Sequence, residues 1–169
     1  MNDQKQVLKA SHALTTVQKL ESLGKVDIFS RLGPHELFLL ANQSVEVELE
    51  PGQVIFQEGD KPSYIFSLIS GQVERYRTSG SLEIIPVGES FGGLAAVTNQ
   101  PHFYSARAVE RCLCLKLDQE SFLDVMEDQP AIAFNILQVV HQKMLKLIVQ
   151  MERLEEKLAS HGDFLKRPS

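Results

Sequence analysis

The chain has 169 residues, of which 43% are hydrophobic and 23% charged, a composition typical of a globular protein with one domain and accessory helices. Its formal net charge of -5 argues against sequence-independent nucleic-acid binding, which needs a basic surface. The first ten residues contain no apolar core of the signal-peptide type, and no apolar run approaches the length that spans a membrane. We therefore predict a cytoplasmic protein without membrane insertion.

Helices are predicted over residues 1–42, which we assign as an N-terminal lead-in. Apolar residues from 4 to 23 recur mostly at helical spacing, and Gly24 ends this stretch. A short turn or helix is expected over 26–32. Pro34 then begins a helix to about Asn42, because proline is favoured in a first helical turn and Glu36 complements the helix dipole.

The periodicity changes from helix to strand at Ser44. Aliphatic residues at 45, 47 and 49 alternate with glutamates at 46, 48 and 50, which predicts a half-buried strand with its charges in water. Further strands are predicted at 54–56, 64–69, 73–77, 82–87, 103–109 and 112–117. Seven or eight short strands predict a mainly β fold, an antiparallel sandwich or roll over 43–128, closed by a helix with Asp118 as its N-cap.

Two cysteines, Cys112 and Cys114, lie two positions apart in the last predicted strand. Alternate residues of a strand point the same way, and neighbours of this kind rarely reach disulfide geometry. We therefore expect two reduced thiols in or near the core, which suits a cytosolic protein.

The last helix is predicted to begin at Pro130 and is assigned to 130–160, with a tail over 161–169. Along it, apolar residues recur at alternating steps of three and four, the spacing of a left-handed coiled-coil seam. We expect a parallel homodimer through this segment; antiparallel pairing and packing on the same domain are the alternatives. The predicted interface residues are Leu137, Val140, Met144, Leu147, Met151, Leu154 and Leu158.

The segment 89–108 combines a strand end, a turn at Gly92 and Gly93, and an apolar stretch long enough for one or two helical turns. Amide groups in a first helical turn have no partner within the helix, and glycine lets an anion approach the backbone closely. The same residues also fit a plain tight turn between a strand and a helix, so this pattern alone is a weak indication of a ligand site.

Short motifs at fixed spacing run through the strand region: EPGQVIFQEGD at 50–60, YI at 64–65 and GQV at 71–73. In order and spacing they resemble the cyclic-nucleotide-binding domain family, which includes the cyclic AMP receptor protein of bacteria and the regulatory subunits of protein kinase A. The resemblance covers about residues 24–160. It implies an eight-stranded jelly-roll with N-terminal helices and a long C-terminal helix, and it makes residues 89–108 the counterpart of the family's phosphate-binding cassette.

The family's cassette reads F-G-E-[LI]-A and, after a variable stretch, P-R-[ST/A]-A. Gly93 stands where a glutamate accepts the ribose hydroxyl, His102 where an arginine pairs with the cyclic phosphate, and Phe103 where a small residue follows. The candidate ligand-binding residues, matching and departing, are Phe91, Gly92, Gly93, Leu94, Ala95, Pro101, His102 and Phe103.

Losing two charge-assisted hydrogen bonds, each worth about 1.5–3 kcal/mol, would weaken binding by roughly two to four orders of magnitude. Arg107 is a poor substitute, because it lies about 16 Å along an extended strand from His102 with the opposite side-chain parity. We expect His102 to be a partly exposed loop histidine that could hold an anion weakly at low pH. We expect Phe103 and Tyr104 to fill the hollow of the roll.

These features predict a non-enzymatic sensor or regulatory module with no cofactor and no metal, binding cyclic AMP and cyclic GMP weakly and open to another small anionic ligand. The alternative is a genuine cyclic-nucleotide receptor with a nonstandard cassette, acting through a partner protein. In either case we expect a homodimer with an unidentified protein partner.

Two other function classes are disfavoured. A cupin-type metalloenzyme needs metal ligands at close spacing in the strands, whereas the five histidines are scattered over helices and one loop. They are His12, His35, His102, His141 and His161. Direct DNA binding would need a recognition helix, for which the roughly ten residues after the heptads are too few.

Overall fold

The structure, a computed structural model, describes residues 14–164. The predicted helical residues 4–13 and the end of the predicted tail, 165–169, lie outside this range. The helices are α1 Thr16–Leu23, α2 Pro34–Gln43, α3 Gly93–Thr98, α4 Gln119–Asp128 and α5 Pro130–Phe164, with a 3-10 turn at Asp27–Phe29. The strands are β1 Val45–Leu49, β2 Val54–Phe56, β3 Tyr64–Ser70, β4 Val73–Arg77, β5 Gly80–Ile85, β6 Ser90–Phe91, β7 Ser105–Ala108 and β8 Cys112–Asp118.

The eight strands form two four-stranded sheets, in the orders β1-β8-β3-β6 and β2-β7-β4-β5. All the pairings are antiparallel. This confirms the predicted fold class, a mainly β jelly-roll with helices at both ends and a long C-terminal helix. Strand β6 was absent from the prediction, because two residues are too few to show a periodicity.

Strand β8 lies between two hydrophobic cores. Cys112 and Cys114 face the space between the two sheets, whereas Leu115 and Leu117 face the helices, and all four are buried. Both thiols are free, as predicted. Burial raises the pKa of the Cys114 thiol well above its ordinary value, so this thiol stays protonated at neutral pH.

The prediction that all the glutamates of the first strand face water is wrong for Glu46. This side chain is only 9% exposed, and its Oε1 accepts a hydrogen bond of 2.6 Å from the Leu14 amide. Nearby, the Lys19 ammonium donates to the Ser44 carbonyl oxygen at 2.6 Å. The segment that leads into α1 therefore covers the edge strand β1, a contact across 32 positions that a local pattern does not reveal.

Among the residues of α5 whose side chains are described, 130–158, those that pack on the domain lie in the first part of the helix. Ile132 is fully buried, Val139 is 8% exposed, and the Asn135 side-chain amide donates to the carbonyl oxygen of Ile28 in the 3-10 turn. The helix continues to Phe164, past the predicted end at 160. All the predicted interface residues are exposed, from 40% at Val140 to 73% at Leu158.

One stretch among the described residues, Pro130–Leu158 of α5, is long and apolar enough to cross a membrane by length and composition. The prediction that no run approaches that length is therefore wrong. The stretch has a mean hydropathy of 1.2, with 17% of the apolar window buried. Exposed apolar side chains at coiled-coil spacing produce this hydropathy as well, so the feature is weak evidence for a membrane span.

Candidate ligand site

A sharp turn joins β6 to α3 and forms the centre of the candidate cassette. Gly92 has a φ of 77°, in the left-handed region that favours glycine. A Cβ atom at this position would lie 3.1 Å from the Tyr64 carbonyl oxygen. Gly92 is thus required both by its backbone conformation and by the closeness of β3.

The Gly92 amide is engaged within the protein. Its N–H donates to the Tyr104 hydroxyl oxygen over 3.2 Å, and both residues are buried. The Tyr104 ring also lies 5.5 Å from the Phe56 ring, measured between centroids. Tyr104 therefore packs in the core between the two sheets beside the cassette turn, on the inner side of the roll as the sequence predicts.

Gly93 has an ordinary backbone conformation and nearly enough room for a side chain. A Cβ there would approach Ile65 Cγ2 at 3.3 Å, which requires that side chain to give way by a few tenths of an ångström. The position where the family's pattern has a glutamate carries no carboxylate here.

The prediction of a partly exposed His102 is wrong. The residue is 4% exposed, and its ring stacks on Phe56 with centroids 3.8 Å apart and planes 11° from parallel. Two backbone hydrogen bonds fix it, from the Gly59 amide to its carbonyl oxygen (2.7 Å) and from its own amide to the Asp60 carbonyl oxygen (2.9 Å). Burial lowers the pKa of His102, and the nearby Asp60 carboxylate opposes this only in part. The imidazole is therefore neutral at pH 7.

The prediction that Phe103 fills the hollow is also wrong. Its side chain is 52% exposed, and the Arg77 guanidinium lies 5.6 Å from the ring centroid. The Arg77 Nε also donates to the Phe103 carbonyl oxygen at 2.7 Å. Phe103 and Tyr104 lie in a bend before β7, where the Phe103 side chain faces outward and the Tyr104 side chain faces inward.

The remaining candidate residues divide between core and surface. Phe91 is 2% exposed and stacks on Phe66, with ring centroids 5.2 Å apart. Ala95 is also buried, whereas Leu94 and Pro101 are exposed. The structure thus gathers Phe91, Gly92, Ala95 and His102 around the turn.

The basic residues near the cassette face in two directions. Arg107 pairs with Glu74 on the outer face, with Nε and Oε2 2.7 Å apart, in keeping with its predicted parity. Arg75 was missed: its guanidinium carbon lies 5.2 Å from the centroid of the Tyr104 ring. The available signal was its place two residues after Val73 in a predicted strand, which puts both side chains on the same face.

A cavity of about 390 Å³ lies next to the Phe56–His102 stack. Its lining includes Tyr64 and Phe66 on β3 and, in the loop between β2 and β3, Asp60 and Lys61. Within residues 14–164 no cluster of three or more histidine, cysteine or acidic side chains suits a metal ion.

Asp27, in the 3-10 turn, links the cassette to the long helix. Its Oδ1 accepts hydrogen bonds of 3.1 Å from both the amide and the hydroxyl of Ser90 in β6. Its Oδ2 pairs with the Lys143 ammonium on α5, which also lies 3.7 Å from the Glu89 carboxylate. One carboxylate thus joins the strand that enters the cassette turn to the helix that leaves the domain.

Residues 46–129 match the family model described as "Cyclic nucleotide-binding domain". The chain is 33% identical over 82 residues to the potassium channel SKOR of Arabidopsis thaliana, covering 46% of this chain and 10% of the channel. It is 24% identical over 129 residues to a CRP-like cAMP-activated global transcriptional regulator of Mycobacterium tuberculosis, covering 73% of this chain and 58% of that protein.

Among solved structures, the catabolite activator protein of Thermus thermophilus superposes with a TM-score of 0.65 at 24% sequence identity. The match covers 76% of this chain and 63% of that one. At this identity the likeness shows a shared fold. The chain spans only part of the length of each of these three relatives.

Proposed function

Since residues 46–129 place the chain in the cyclic nucleotide-binding domain family, we propose that it is a non-enzymatic sensor or regulatory module that does not bind cyclic AMP or cyclic GMP tightly. We place it in the cytoplasm, where a homodimer would act on a protein partner. The module senses through the cassette and responds through α5.

One observation carries the proposal. The cassette keeps its glycine turn, but the Gly92 amide is bonded to the Tyr104 hydroxyl. Gly93 stands where the family's pattern has the glutamate that binds the ribose. A neutral His102, stacked on Phe56, stands where the pattern has the arginine that binds the phosphate. Two missing charge-assisted hydrogen bonds correspond to a loss of roughly two to four orders of magnitude in affinity.

The contacts of Asp27 support a sensing role rather than a purely structural one. A ligand that moves the cassette strand at Ser90 would disturb the same carboxylate that holds Lys143. Such a change shifts an equilibrium only if the ligand binds the two arrangements with different affinity. The exposed apolar side of α5 provides a surface through which that shift is transmitted to a second subunit.

The proposal is tested by following the melting temperature of the unmodified chain while cyclic AMP or cyclic GMP is added to millimolar concentration. A ligand at one hundred times its dissociation constant adds about 2.7 kcal/mol to the free energy of unfolding, which is readily measured. We expect no shift with either nucleotide below millimolar concentration. A clear rise at micromolar nucleotide would contradict the proposal.

That contradicting result would favour the second candidate, a genuine cyclic-nucleotide receptor with a nonstandard cassette that acts through a partner protein. The observation in its favour is Arg75, a cation near the cassette that could replace the missing arginine.

A further inference from the structure

Helix α5 is apolar over a wide part of its surface between residues 144 and 151. The exposed apolar residues of this segment are Met144, Leu145, Leu147, Ile148, Val149 and Met151. At about 100° per residue they form a continuous arc of about 200° around the helix axis, which begins at Leu147 and ends at Val149. The remaining residues of the segment, Lys146 and Gln150, lie together on the other side.

The predicted seam accounts for less than half of this arc. Its members within the segment lie within about 60° of one another. A two-stranded coiled coil buries mainly its two seam positions in each heptad. Leu145 and Ile148, which are 47% and 43% exposed, lie outside the seam, and their mean direction is about 100° around the helix from it. These two residues define the Leu145 face.

The Leu145 face also lies away from the chain's own domain. In the described part of α5, Ile132 and Val139 are the buried aliphatic residues, and Val139 lies about 120° around the helix from Leu145. Farther along the helix, the side that faced the domain carries the polar Lys146. Leu145 and Ile148 therefore stay in water unless another molecule covers them.

Two apolar faces at nearly a right angle suit a four-helix bundle. Each helix of such a bundle contacts two neighbours, so its apolar stripe is wider than a coiled-coil seam. The angle of about 100° between the seam and the Leu145 face is close to this requirement. A dimer built on the seam would thus present two further apolar faces, one from each helix, to a second dimer.

Charges next to the Leu145 face favour antiparallel contact with a second copy. Glu152 lies about 20° around the helix from Leu145 and His141 about 40°, so both border the face. Parallel contact would bring Glu152 against the same residue of the other copy, where like charges repel. Antiparallel contact centred between Leu145 and Ile148 would bring Glu152 beside His141 and Leu145 beside Ile148. The face is therefore complementary to itself under a twofold axis, as an interface between identical chains requires.

A lipid bilayer suits this part of α5 less well. The stretch Pro130–Leu158 is long and apolar enough to cross a membrane. However, charged side chains at positions 143, 146, 152 and 153 lie within it, and such groups are costly in hydrocarbon. The Lys143 ammonium also pairs with Asp27 of the domain, which holds the helix against the protein at that point.

We propose that the Leu145 face is a second interaction surface, through which two dimers of this chain associate antiparallel into a four-helix tetramer. This rests on the proposed function, because the seam supplies the dimers. The face is small, so the dimer is the species at low concentration and the tetramer forms as the concentration rises. A change at one cassette would then reach four domains instead of two.

Sedimentation equilibrium of the full chain tests the inference over concentrations from about 1 μM to about 1 mM, which span tight and weak association. We expect a dimer at the low end and a twofold increase in mass as the concentration rises. Leu145→Glu with Ile148→Glu should stay dimeric throughout, because charges replace the apolar pair. Lys146→Gln with Gln150→Glu is the matched control, because it changes the net charge equally on the polar side and should still form the tetramer.

The inference is wrong if the unmodified chain stays dimeric at about 1 mM, if the Leu145-face variant still doubles in mass, or if the control does not. Each of these results leaves the dimer of the proposed function intact. An unmodified chain that is monomeric throughout would overturn both. Co-sedimentation with phosphatidylcholine or phosphatidylglycerol vesicles that the Leu145-face variant abolishes would assign the face to a bilayer and overturn the inference.

The orientation of the contact is tested by mixing His141→Cys chains with Glu152→Cys chains and oxidising them mildly. The two native cysteines are buried and do not compete. Antiparallel contact predicts disulfides that join the two kinds of chain, which mass spectrometry identifies. Disulfides that join only chains of the same kind would show parallel contact and contradict the inference.

Discussion

Asp27 and Lys143 form an ion pair across 116 positions of the chain. The same Asp27 carboxylate contacts both the cassette strand β6 and the long helix α5. The Lys143 side chain is 44% exposed, so the ion pair alone contributes little to stability, about 0–1 kcal/mol. The carboxylate does more, because it also accepts from the amide and hydroxyl of Ser90 and from the Ile28 amide.

We predict that Asp27→Ala lowers the free energy of unfolding by about 1.5–3 kcal/mol, because partly buried donors then lose a charged acceptor. Lys143→Met should cost less than about 1 kcal/mol. Urea denaturation measures both, with Lys146→Met, an exposed lysine on the same helix, as the control for loss of charge. Equal effects of Asp27→Ala and Lys143→Met would mean that the carboxylate acts only through the ion pair.

The buried His102 predicts a pH dependence of stability. Its pKa is lowered in the folded protein, so below about pH 6.5 the unfolded chain binds a proton that the folded chain does not. Stability should therefore be full above pH 6.5 and fall as the pH decreases below that value. His102→Phe keeps a ring against Phe56 and should flatten this part of the profile in denaturant melts; a slope that survives the substitution must come from other groups.

The two glycines of the cassette turn should respond differently to alanine. Gly92→Ala forces a side chain into a left-handed conformation, 3.1 Å from the Tyr64 carbonyl oxygen, and should cost at least about 1–2 kcal/mol. Gly93→Ala meets only the flexible Ile65 side chain and should change stability by less than about 1 kcal/mol. Thermal melts of the pair would contradict this account if both substitutions were equally damaging.

Cyclic-nucleotide binding should be recoverable by restoring the family's pattern. We predict that Gly93→Glu, His102→Arg and Phe103→Ser together with Tyr104→Ala create or greatly strengthen cyclic AMP affinity, by roughly two to four orders of magnitude. Tyr104→Ala is included because its hydroxyl holds the Gly92 amide. The matched control carries Gln at both 93 and 102, similar in bulk but uncharged, and calorimetry should detect no comparable gain. No gain in the charged variant would show that the hollow is closed by more than these four side chains.

The exposed seam of α5 should hold the chain in a dimer. Leu147→Glu and Leu154→Glu place charges in an apolar seam, so we expect the double variant to sediment as a monomer where the unmodified chain sediments as a dimer. Arg153→Glu also changes charge but lies off the seam and should leave the dimer intact. A double variant that stays dimeric would place the interface elsewhere.

Local sequence patterns predicted the roll and most of its strand positions. Strand β4 was predicted with the same bounds as it has, because Gly71 and the turn after Arg77 delimit it on both sides. Helix α4 begins after Asp118, which accepts from the amides of Glu120 and Ser121 as an N-cap should. Signals confined to a few neighbouring residues were sufficient for these elements.

The errors at the site came from contacts distant in sequence. His102 is buried because its ring meets Phe56 and its backbone bonds to Gly59 and Asp60, all more than 40 positions away. Nothing in the loop itself shows those partners. Arg75 differs, because its position two residues after Val73 in a predicted strand places both side chains on the same face, which the sequence alone indicates.

Helix α5 has only exposed residues from 144 to 158, so a change in its direction near Lys143 would be carried along a free length of helix. Leu158 lies fifteen residues further along, about 22 Å at 1.5 Å per residue. A tilt of about 10° near Lys143 would therefore carry the far end through about 4 Å, more than the width of a single side-chain contact. Displacements of less than 1 Å at Ser90 and Glu89 would therefore produce larger displacements at the end of α5, where the contacts with a neighbouring molecule would change most.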